Sequence, residues 1–80
     1  MNTNTKARVY VFLEDLQLLW DTQYEAHFEQ EKRNSIIAQL IKNKRMLDDA
    51  KNEADITVVE TRIHKLADWL RHTVEEVQTR

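Results

Sequence analysis

The chain has no cysteine, no glycine and no proline in its 80 residues. Each absence excludes something. Without cysteine there is no disulfide and no thiolate metal site, two of the usual reinforcements of a domain too short to bury a large core. Glycine and proline together average about 12% of protein sequence. Without them, turns that need a positive or a fixed φ are poorly served, so few turns and long helices are expected. Neither sign of charge dominates. Twelve Lys and Arg stand against 14 Asp and Glu, a net charge of −2, which exerts no strong pull toward nucleic acid or anionic lipid. No apolar run reaches the roughly 18 residues of a membrane helix. The apolar run after Lys6 and Arg8 is cut by Glu14 and Asp15, unlike the core of a signal peptide. The expectation is one cytoplasmic helical domain without membrane association.

What the chain does have is apolar periodicity. Ile56, Val59, Ile63, Leu66, Leu70, Thr73 and Val77 recur at steps of three and four, the heptad pattern of an amphipathic helix. The spacing predicts a C-terminal helix over 56–78, about 33 Å long. Thr57 and Glu60 form a capping box at its start, with Asp55 as a competing cap. Before it, residues 48–55 hold Asp48, Asp49, Asn52 and Asp55 and no apolar period, which predicts a turn and an antiparallel helical hairpin.

Residues 6–50 contain no obligatory breaker. Val9, Leu13, Leu16, Trp20, Tyr24 and His27 fall on one face, and Ile36, Ile37, Leu40, Ile41 and Leu47 on another. Either this is one helix of about 45 residues, or it breaks at Asp21-Thr22, where Thr22 and Glu25 make a second capping box, or at Asn34-Ser35. Residues 1–5 read as a polar tail that frays until Thr5 caps the helix. The fold class is all-α: an antiparallel hairpin or a small three-helix bundle with long helices.

A length mismatch drives the functional reading. The C-terminal helix is too short to shelter all of residues 6–50. Residues 9–28 are left over, and they hold Tyr10, Phe12, Trp20, Tyr24 and Phe28, five of the six aromatics. Burying one large apolar side chain contributes about 1.5–3 kcal/mol, so this face needs a cover. Three covers are open: the same chain folded back, a second copy in a homodimer, or another protein.

No catalytic, cofactor-binding or metal-ligating set is expected. Glu60, His64, Asp68 and His72 stand four apart on the last helix and include zinc-competent donors. A straight helix offers only neighbours to one ion, so the stripe reads as a solvated edge with weak helix pairs. His27 reads as a rim residue beside the aromatics, although a histidine there also suits a pH-sensitive contact. The basic residues Lys32, Arg33, Lys42, Lys44 and Arg45 point to different sides and have acidic neighbours, unlike a phosphate-binding stripe. Trp69 stands off the main seam and serves either to close a bundle edge or to open a second contact surface.

The expected function is therefore a non-enzymatic protein–protein interaction module: an adaptor, co-chaperone or inhibitor that occupies the surface of another protein or of its own copy. Phe12, Leu16, Trp20, Tyr24 and Phe28 are its expected partner-binding anchors. The alternative is a small dimeric regulator acting on nucleic acid or on a nucleic-acid-binding protein.

Overall fold

The structure, a computed structural model, describes residues 3–78, and these fold as three helices with no strand among them. Helix α1 spans Thr3–Leu19. It runs on through a π-helical turn, Trp20–Tyr24, and a 3₁₀ turn, Glu25–His27. Helix α2 spans Gln30–Asp49 and α3 spans Glu53–Gln78. The three pack on one another as a bundle 45 Å long and about half as wide.

The cover that the sequence demanded comes from the chain itself. Val9, Leu13 and Leu16 of α1 and Trp20 of the π turn are buried with Ile36, Leu40 and Leu47 of α2 and with Ile56, Val59, Ile63, Leu66 and Leu70 of α3 in one core. Trp20 is only 1% exposed. Burial on that scale is what holds helices of 17 and 20 residues that would be marginal alone in water.

Helix ends are the hard problem for a chain without glycine, because helices commonly end on a left-handed residue. Among the described residues none has positive φ. The helices stop instead on extended residues, Phe28 (φ −118°, ψ 147°) and Ala50 (φ −65°, ψ 128°). The freed carbonyls then take a cation from the neighbouring helix. Lys6 of α1 donates to the carbonyls of Asp48 (3.3 Å) and Ala50 (3.0 Å) at the end of α2. Arg33 of α2 donates through Nε to the carbonyl of Glu25 (3.1 Å) at the end of the first helical run. A cation there also opposes the negative end of the helix dipole. Each clamp joins two helices, so it sets tertiary packing as well as helix length.

Several expectations are corrected. Thr5 is not a cap, because the chain is already helical from Thr3. The remainder of the expected tail, residues 1–2, lies outside the described residues. The chain breaks at Phe28-Glu29, at neither expected site. Thr22 does not cap a helix. Its hydroxyl donates back to the Leu18 carbonyl (2.7 Å), and the Glu25 N–H bonds the Trp20 carbonyl across the π turn. Thr57 likewise donates to the Glu53 carbonyl (2.9 Å), already inside α3. The cap that forms lies earlier: the Asp55 N–H donates to Asn52 Oδ1 (2.9 Å). The α2 face is also rotated. Ile37 and Ile41 are largely exposed, and Asn43 takes a core position between Leu40 and Leu47. At the end of α3 the seam passes to Val74, leaving Val77 exposed and Thr73 half-buried.

Candidate interaction surface

Five residues of α3 form a second seam beside the core seam. Asp55, Val58, Arg62, Lys65 and Trp69 follow the same steps of three and four, one residue ahead of Ile56, Val59, Ile63, Leu66 and Leu70. All five are exposed. On α2 the matching stripe holds Lys32, Ser35, Gln39, Lys42, Met46 and Asp49. Between the two stripes runs an open groove. Its larger part encloses about 390 Å³ over a floor of Ile36, Asn43 and Leu66, with Ser35, Gln39, Lys32, Arg62, Lys65 and Trp69 along the sides. A shallower part continues toward the turn between Met46, Asp49, Asp55 and Val58.

The groove lies away from α1. That helix meets α3 through the Arg8–Glu60 ion pair (3.1 Å) and through the Phe12 ring against His64 (4.3 Å between centroids). It meets α2 through the Tyr10 hydroxyl, which donates to Asp48. This bond, helped by partial burial and the charges of Asp48 and Asp49, raises the Tyr10 pKa from 10.0 to about 12.

Two features order the groove. Asn43 is buried, and its Oδ1 accepts a hydrogen bond from Arg62 Nε (3.1 Å). The bond satisfies a polar group that would otherwise cost about 1–3 kcal/mol to bury. It also anchors the arginine at the groove edge, beside an exposed lip. Trp69, 44% exposed, is the outer member of an aromatic file. Its ring stacks on Phe28 (5.9 Å), which packs on the buried Trp20 (5.6 Å), and Lys32 sits 5.9 Å from the Trp69 ring. The indole is thus held from below and flanked by a cation. The larger part of the groove has three cations along it and no carboxylate.

The five anchors expected from the sequence divide. Leu16 and Trp20 are core residues of this chain. Phe12, Tyr24 and Phe28 are partly buried and pack against that core. None of the five lines the larger groove, and Phe28 reaches it only as the support beneath Trp69. Reasoning from the sequence overlooked Arg62, Lys65 and Asn43. The second 3–4 series on α3 was the readable signal for the first two. Nothing local marks Asn43 as a core residue.

The helical stripe of possible metal donors is dispersed. Glu60 pairs with Arg8, Asp68 pairs with Arg71 (3.6 Å), and His64 packs on Phe12. Among the described residues no three His, Cys, Asp or Glu side chains gather around a point that would hold a metal. No helix there is long and apolar enough to cross a membrane. No protein-family model, no curated protein and no solved structure matches the chain.

Proposed function

We propose that this three-helix bundle is a non-enzymatic protein–protein interaction module that docks its partner in the α2/α3 groove. The observation that carries the reading is Trp69: a half-exposed indole, stacked from beneath and bordered by Lys32, Arg62 and Lys65. Large aromatics and arginines are the residue types that dominate binding energy at interfaces. A groove between two helices suits an inserted helix, read through anchors at i, i+3, i+4 and i+7. The role is that of an adaptor, co-chaperone or inhibitor, which acts by occupying a surface and needs no reaction of its own. Trp69→Ala is expected to weaken partner capture at least about tenfold while the far-ultraviolet circular dichroism and melting cooperativity stay as in the parent. Unchanged capture by that variant overturns the reading.

A second reading has one observation behind it. Lys32, Arg62 and Lys65, from two helices, lie along one groove, where the sequence had suggested basics scattered round a helix. A one-sided cation stripe is the footprint of a phosphate-binding surface. Asp49 and Asp55 close the same groove at the turn, which favours a protein ligand. The alternative, a small regulator that binds nucleic acid, predicts retention that nuclease abolishes and an affinity falling log-linearly with salt.

A further inference from the structure

Resting on the docking role proposed for the groove, we infer that its occupant is a second copy of this chain, inserted through the outer ridge of α1 in a head-to-tail contact.

The ridge is the counterpart of the groove in both chemistry and spacing. Val11 and Leu18 are 56% and 62% exposed. Between them stand Glu14 and Asp15, both exposed. The four residues occupy i, i+3, i+4 and i+7, one face of a helix. Among the described residues neither Glu14 nor Asp15 has an ion-pair partner. The core has no use for this face, because α1 buries Val9, Leu13 and Leu16 on its opposite side. Two large aliphatics left in water beside two acidic residues therefore make an acidic amphipathic ridge that no other helix of the bundle covers.

The groove offers what such a ridge lacks. Lys32, Arg62 and Lys65 bring positive charge, with no carboxylate between them, and Trp69 and the floor bring apolar surface. The ridge from Val11 to Leu18 is about 11 Å long, and the stripe from Val58 to Trp69 about 17 Å, so the ridge fits within the groove. Opposite faces of one small bundle thus carry opposite charge around apolar centres. Complementary charge sets orientation and register in such contacts. A groove facing a groove would set the cations of one copy against those of the other. A ridge facing a groove brings carboxylates onto cations.

Because ridge and groove are different patches on different sides, the contact is heterologous. Each copy keeps a free ridge at one end and a free groove at the other, so association is open-ended unless the rotation closes a ring. The contact is charge-rich and small, which predicts association that weakens as salt screens it.

The test is sedimentation equilibrium of the full chain from about 10 µM to about 1 mM, in low salt and in about 0.5 M salt. The parent is expected to grow past the dimer at low salt and to fall back toward monomer at high salt. Two variants isolate the faces: the ridge variant Glu14→Lys with Asp15→Lys, and the groove variant Lys32→Glu with Lys65→Glu. The second leaves the Arg62–Asn43 bond in place. Circular dichroism melts establish that both remain folded. Each variant alone is expected to lose at least about tenfold in association constant, and an equimolar mixture is expected to regain association through the restored opposite charges. A parent that stays monomeric throughout overturns the inference. So does a ridge variant that associates like the parent, since that assigns the contact to groove against groove. If the parent is monomeric while Trp69→Ala still costs partner capture, the second copy is excluded as occupant and the docking role stands.

Discussion

Two series of residues interleave along α3, and they make the most instructive pair in the molecule. Ile56, Val59, Ile63, Leu66 and Leu70 form one, and Asp55, Val58, Arg62, Lys65 and Trp69 the other. They share a helix and a spacing and differ by one residue, about 100° of helical rotation. The first is buried against α1 and α2. The second borders the groove. Spacing therefore defines a face without saying what meets it. Composition goes further: five aliphatics make a core seam, whereas two cations, an acid, a valine and a tryptophan make an exposed, largely polar surface. One face of the last helix serves cohesion, and the adjacent face is the one proposed for contact.

The comparison breaks most sharply through the core. Trp20→Ala is expected to cost about 3–5 kcal/mol and Ile63→Ala about 2–5 kcal/mol, amounts comparable with the whole stability of a small domain. Val58→Ala, in the adjacent exposed seam, is expected to stay within about 0.5 kcal/mol. Urea denaturation followed by tryptophan fluorescence or circular dichroism measures all three. A Trp20→Ala protein as stable as its parent would mean that α1 is not the third wall of the bundle.

A smaller effect sharpens the boundary between the two series, at Asn43. Asn43→Ala is expected to cost about 1–3 kcal/mol through the lost hydrogen bond and the space left in the core. Asn43→Leu fills that space, and the exposed Arg62 guanidinium finds water instead, so little stability is lost. The two variants together separate packing from positioning. If Asn43→Leu melts like the parent, the Arg62–Asn43 bond carries no stability of its own; if it melts like Asn43→Ala, the bond and not the packing carries the loss.

The smallest effect concerns Tyr10. Its folded-state pKa of about 12 lies above the ordinary 10.0. The phenol therefore holds its proton more tightly in the folded state. The stability linked to it is fully present below pH 10 and is lost as pH rises from about 10 to about 12. Tyr10→Phe is expected to remove this dependence from the alkaline limb of the stability profile. An ultraviolet phenolate titration is expected to lose its late-ionising component in the same variant.

Much of the fold was legible in the residues. The C-terminal helix, a turn ahead of it and the need to cover residues 9–28 all follow from apolar spacing and from the clustering of Asp and Asn, although the turn is confined to 50–52 where 48–55 was expected, because Asp48 and Asp49 stay in α2 and α3 begins at Glu53. The helix ends were not legible. Thr57-Glu60 and Thr22-Glu25 have the spacing of capping boxes, yet both threonines bond carbonyls four residues back. A capping motif states what a terminus would use and does not place the terminus. The break at Phe28-Glu29 carries no glycine, proline or strong cap. Across it Arg33 donates to the Glu25 carbonyl, and the Phe28 ring packs tilted against Trp20. Each contact joins residues eight apart, and no local capping motif records either.

An all-helical chain, a core seam on its last helix and an apolar N-terminal face that had to be covered were already written in the order of the residues. Those follow from the 3.6-residue period and from the free energy of keeping aliphatic and aromatic side chains out of water. Which surface does the covering and which is left open depends on how the three helices pack. Leu16 and Trp20 turned inward, Ile41 and Trp69 stayed at the surface, and three distant basic residues, Lys32, Arg62 and Lys65, came to line one groove. The physical reason is that helix periodicity is local, whereas the rotation of each helix about its axis is fixed by how the side chains of all three helices fill one core at once. An extra residue in a π turn or a buried asparagine therefore changes which face meets the solvent without altering the pattern a reader sees.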